Sequence, residues 1–160
     1  MKGYNKPIFL VLFLAMVSVG CADHLQEGID AYKKRNYSMA FAVLKPLADD
    51  GDAEAQAFVG RMYDNGEGVP MDYRLAVEWY RKSAEQGSAF GQYNLGVMYA
   101  GGLGVQRDAV QALKWLDLAT VRGNGQKVVI DAAKQAEASM TPEQIREAER
   151  LADGWLAQHK

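Results

Sequence analysis

Residues 52–87 can be laid on residues 88–123 without a gap, at an offset of 36. Gly60 falls on Gly96, Met62 and Tyr63 fall on Met98 and Tyr99, and Gly66, Gly68 and Val69 fall on Gly102, Gly104 and Val105. Asp72 meets Asp108, Ala76 meets Ala112, Trp79 meets Trp115 and Gly87 meets Gly123. A fixed period of this length describes a stacked array, in which each unit buries its apolar face on its neighbours. Arrays present a long surface to a partner, so the period constrains the class of function without naming that partner.

Within each unit the apolar spacing is helical. Ala53, Ala57, Val59, Gly60 and Tyr63 lie on adjoining faces of one helix, as do Ala89, Tyr93, Leu95, Gly96 and Tyr99. A second helix follows, through Leu75, Ala76, Trp79 and Tyr80 and then through Ala112, Leu113, Trp115 and Leu116. Asp72 and Asp108 stand where an N-cap belongs, and Gly87 and Gly123 where a helix stops with positive φ. Gly60 and Gly96 are mid-helix, which costs about 1 kcal/mol each against alanine. The repetition of that cost predicts a close approach of the paired helix. The joining segments 65–71 and 101–107 are glycine-rich turns. They are no nucleotide loop, because a helix rather than a strand precedes them.

The pattern Leu95-Gly96-x-x-Tyr99, Gly102-x-Gly104-Val105, Asp108, Ala112, Trp115, Ala119, Gly123 resembles the Sel-one-like repeat, a longer-looped relative of the tetratricopeptide repeat. The first unit matches it with Val59 in the leucine place. The resemblance implies an all-α fold, an αα-hairpin solenoid wound as a right-handed superhelix, used for protein–protein contact. The flanks extend the array in weaker form. Leu25, Gly28, Ala31 and Tyr32, then Tyr37, Ala40 and Val43, make an N-terminal half-type repeat over 22–51 that lacks the glycine loop. Val128, Val129, Ala132, Ala133 and Ala136 begin the C-terminal capping helices of 124–160. Thr141-Pro142-Glu143-Gln144 starts the last of them, with Thr as cap and Gln closing the box. The domain of 22–160 is thus expected to hold about eight helices.

Residues 1–21 read as a signal peptide. Lys2 and Lys6 supply a positive start, and Ile8–Val19 is an apolar run of 12 residues, short of the roughly 20 a membrane span needs. Cys21, the single cysteine, follows Ser18-Val19-Gly20 and resembles a bacterial lipobox, with Ser18 where leucine is usual. That resemblance implies acylation at Cys21 and, with Ala22 next, outer-membrane anchoring. Ordinary cleavage after Ala22 is one alternative, and an uncleaved anchor is the other. Each predicts a domain working outside the cytoplasm, in the periplasm.

A hydrophobic content of 49% supports a real core. Without residues 1–21, which contribute Lys2 and Lys6 and no acid, the net charge moves from −2 to −4. No basic run marks a nucleic-acid partner. His24 and His159 sit at the ends of the domain without ligands at metal spacing, so no metal or cofactor is expected. No Ser/His/Asp or Cys/His set can be assembled, and the chain is read as non-enzymatic. The aromatic series Tyr63, Tyr73, Tyr80, Tyr99, Trp79 and Trp115 reads as core. By resemblance to the tetratricopeptide groove, the partner-binding positions fall on Ile29 and Lys33, on Glu54, Ala57, Arg61 and Asp64, and on Phe90, Tyr93 and Val97. Arg61, Phe90 and Tyr93 are expected to form one patch for a protein or peptide. The functions weighed are an envelope scaffold or adaptor, a lipoprotein accessory to cell-wall or polysaccharide assembly, and, remotely, an envelope hydrolase.

Overall fold

The computed structural model describes residues 23–123 and 125–159, and the leader with Cys21 lies outside them. The described residues are helical, with no strand. The chain runs through α1 (23–33), α2 (Tyr37–Asp49), α3 (Ala53–Asn65), α4 (Tyr73–Glu85), α5 (Ala89–Gly101), α6 (Ala109–Arg122), α7 (Lys127–Glu137) and α8 (Pro142–Gln158). α3 pairs with α4 and α5 with α6, and the second helix of each pair packs on the first helix of the next. The first helices α3, α5 and α7 meet one another more closely than α4 meets α6. The row of first helices is therefore the inner side of the stack.

The ends of these helices follow from their caps. Asp72 accepts from the N–H groups of Arg74 and Leu75, and Asp108 from that of Gln111. Thr141 and Gln144 make the full capping box with Pro142 in the first turn. Gly66 and Gly102 close α3 and α5 in the left-handed region, at φ 69° and 67°. Gly87 also has positive φ, at 86°, but Gly123 does not: its φ is −88°. α6 runs one residue longer than α4, to Arg122, and the left-handed turn falls on Gly125 instead.

The two mid-helix glycines are points of close approach. A β-carbon on Gly60 would lie 2.8 Å from the Tyr80 ring, and one on Gly96 would lie 2.8 Å from Leu116 and 3.0 Å from the Ala112 carbonyl. Trp79, Tyr80 and Trp115 are buried as expected, while Tyr63, Tyr73 and Tyr99 are half-buried on the same clusters.

The last pair departs from the pattern. α8 packs on α6 rather than on α7, placing the Trp155 ring edge-on to Trp115 at 6.3 Å. One polar relay changes with it. Buried Gln56 donates to the Ala48 carbonyl and accepts from Gln86, which also donates to the Gly51 carbonyl. One period later Gln92 donates to the Ala84 carbonyl in the same way. The residue in the place of Gln86 is Arg122, which instead lies 5.4 Å over the Trp155 ring and donates to the His159 carbonyl. Gln92 Oε1 is left buried with no partner among the described residues.

Candidate functional site

The inner face of the first repeat gathers aromatic rings around one guanidinium. Phe58, Arg61 and Asp64 recur at intervals of three along α3 and so share a face. Phe58 lies between Tyr32 of α1 and Phe90 of α5, with ring centroids 5.3 and 5.5 Å away. The Arg61 guanidinium spans the same gap, 5.2 Å from the Tyr32 ring and 5.9 Å from that of Phe90. Cation–ring contacts of this kind orient the guanidinium without neutralising it. Arg61 is exposed and makes no ion pair among the described residues.

The carboxylates nearby are already engaged. Glu67, in the loop after α3, accepts from the Tyr32 hydroxyl and from Asn65. Burial pushes its carboxyl up, but the hydrogen bonds from Tyr32, Asn65 and Tyr37 and the Arg61 charge outweigh that and hold it below its usual range. Asp64 accepts from the Tyr80 hydroxyl at 3.2 Å, and burial raises its carboxyl despite that bond. Both phenols are raised in turn, by burial and by these acids. Arg61 thus acts on both carboxylates through space and makes a direct ion pair with neither.

Lys33, Glu54 and Arg61 are exposed, and Asp64 and Phe90 are half-buried on this face. Val97 is 37% exposed further along it. Ile29 and Ala57 do not line a groove. Ile29 is packed with Tyr32 and Leu44 in the first core cluster, and Ala57 is fully buried. Arg61 and Phe90 meet as expected, but Tyr93 joins another cluster, with Leu113, Leu116 and Ala133. The sequence reading missed Tyr32, Phe58 and Glu67. Phe58 had a signal, standing three residues before Arg61. Glu67 had none, because its counterpart one period on is Leu103.

Among the described residues no group of three His, Cys, Asp or Glu is placed to hold a metal ion. His24 is exposed beside Glu27, and His159 stacks on Trp155 at 3.9 Å with Nδ1 against its carbonyl. The carboxylate furthest from its ordinary state is Asp117 of α6. Burial, then Glu137 and Glu149, raise it from 3.8 to about 6. A carboxyl raised in the folded state favours folding while protonated, so stability falls as pH climbs from about 4 through 6. Asp117→Asn is expected to add about 1 kcal/mol at pH 7.5, discounted for the solvent that reaches this half-buried side chain, and to add almost nothing at pH 4. Thermal melts at the two pH values check this.

The Sel1 repeat pattern matches residues 14–52, 53–88 and 89–124. Two solved structures are similar. One is a protective antigen present in uropathogenic Escherichia coli strains and displaying an SLR fold. It shares 29% identity and a TM-score of 0.81, over 87% of this chain and 30% of that one. The other is a Sel1 repeat protein from Oxalobacter formigenes. It shares 37% identity and a TM-score of 0.57, over 61% of this chain and 28% of that one. The chain thus spans less than a third of either. No curated protein matches the sequence.

Proposed function

The chain belongs to the Sel1 repeat family, and from that membership we propose that it is a non-enzymatic scaffold holding a segment of another protein on its inner face. Sel1 repeat proteins are typically interaction scaffolds. The observation that carries the reading here is Arg61, exposed, in no direct ion pair among the described residues and held between the Tyr32 and Phe90 rings. An Arg set among aromatics is the composition of an interface anchor. It suits a carboxylate of the partner through charge-assisted hydrogen bonds, with apolar burial beside it.

A photo-crosslinker placed at Phe90 is expected to trap a discrete protein in envelope fractions, and one at exposed Glu78 on α4 is not. Arg61→Ala should reduce the Phe90 adduct at least tenfold without moving the melting temperature. Equal trapping from both positions counts against the inner face. Sedimentation of the protein with insoluble wall glycan, with no protein adduct, would favour the cell-wall or polysaccharide role instead.

The proposal also puts the domain outside the cytoplasm, in the periplasm or anchored to the outer membrane. It rests there on Lys2, Lys6, the Ile8–Val19 run and Cys21. Cys21→Ser is expected to release the protein from the membrane fraction or to block its maturation. A mature protein beginning at an unmodified Asp23 would establish ordinary export.

A further inference from the structure

The inner face does not keep one character along its length. Arg61, Asp64 and Glu67 of the first repeat correspond, one period on, to Val97, Ala100 and Leu103, and Met71 corresponds to Arg107. Charge gives way to aliphatic surface, and a new cation appears at the far edge. A cleft of about 480 Å³ opens at that aliphatic end, between α5 and α7 and over α6. Val97, Ala100, Leu103, Leu116, Ala132 and Ala136 line it, together with the polar side chains of Arg107, Gln135 and Ser139.

The cleft has a structural cause. α7 packs on α6 and meets α5 less closely than α3 does. The residues α5 and α7 bring to the gap include Ala100, Ala132 and Ala136, which are too short to fill it. A volume of this size with an apolar lining and few polar groups is typical of a ligand pocket.

The geometry points to an apolar subsite between α5 and α7 that takes paired large aliphatic side chains of an acidic peptide. This rests on the reading of the inner face as the binding surface. The lining selects the aliphatic part, since most of it is apolar and a polar side chain entering it would find only Arg107, Gln135 and Ser139 as side-chain partners. The free charges select the sign. Arg107, like Arg61, is exposed and makes no ion pair among the described residues. Asp64 and Glu67 lie within the field of Arg61, whereas no carboxylate lines the cleft and Arg107 is the charged residue among those that do. A peptide with two leucines in the cleft and a glutamate beside them meets Arg107.

The test is titration calorimetry of the mature chain with a dodecapeptide carrying a central Glu-Leu-Leu-Glu. Two control peptides replace the leucines by serine or the glutamates by lysine. The parent peptide should bind at least tenfold tighter than either control. Ala100→Phe and Ala136→Phe, which fill the cleft from opposite walls, should each cost at least tenfold. Each must retain the parent melting temperature, and having two variants keeps the test open if one misfolds. Arg107→Glu should reverse the preference between the glutamate and lysine peptides. Equal binding of the serine peptide, or no effect of either folded phenylalanine variant, overturns the subsite. So does saturable binding of dodecanoate without binding of the peptide, or a dimer that Ala100→Phe dissolves. If Arg61→Ala abolishes the crosslink at Phe90 while the cleft-filling variants leave it intact, the scaffold reading stands and the subsite alone falls.

Discussion

Replacing Gly104 by alanine is expected to destabilise the domain by about 2–5 kcal/mol, more than any surface substitution. Gly104 has φ 65°, where a β-carbon costs about 1–2 kcal/mol. That β-carbon would also press into the Tyr73 carbonyl and stand 2.8 Å from the Arg74 nitrogen. These are backbone atoms of the first turn of α4, which cannot rotate away, and overpacking of this kind costs about 1–3 kcal/mol. Gly68 repeats the contact one period earlier, at φ 78° and 2.8 Å from the Tyr37 carbonyl at the start of α2. The loop of each repeat is thus seated on the second helix of the pair before it. Gly154, inside α8 with open space around it, is the control. Gly154→Ala should add about 0.5–1 kcal/mol. Urea unfolding midpoints compare the two. A Gly104→Ala variant as stable as the parent would mean the loops are not seated as described.

Trp115→Ala is expected to cost about 3–5 kcal/mol, the range for truncating a buried aromatic. The ring is 5% exposed and belongs to the cluster with Leu95, Met98, Leu118, Ala152 and Trp155. Its loss removes the edge-on partner of Trp155, so α8 should loosen before the repeats do. Hydrogen exchange should show amides of α8 losing protection first. Phe90→Ala, by contrast, removes a half-buried ring of the inner face. It should weaken partner capture by about 1–3 kcal/mol and stability by less. Equal loss of stability in the two variants would make Phe90 a core residue rather than an anchor.

The parts of this structure legible in the sequence are those governed by spacing along the chain. Asp72 and Asp108 as caps and Gly60 and Gly96 as points of approach each follow from a local offset that occurs twice. What escaped depends on distance between helices. The angular position of Ile29 and Ala57 on a helix is readable, but whether that edge is covered depends on how near the next helix comes. Gly123 was misjudged because a period copies residue types and not the length of the helix before them. The pairing of Tyr32 with Glu67 joins two elements at a place where the repeat does not repeat. The docking of α8 on α6 breaks the order of pairs, and the cleft beside Val97 depends on how closely α7 meets α5.

The difference between Gln86 and Arg122 has a consequence for how long such a protein can grow. The unit ending in Gln86 supplies the donor that completes its own buried Gln56, so that unit is self-sufficient and can be followed by another. The unit ending in Arg leaves Gln92 incomplete and gives its side chain to the terminal helix. Position 122 therefore acts as a full stop. Inserting a second copy of residues 52–87 ahead of Ser88 should yield a longer, soluble protein with the added junction satisfied. Duplicating 88–123 instead would bury another acceptor without a donor, a cost of about 1–3 kcal/mol, and would strand an arginine with no tryptophan to rest on.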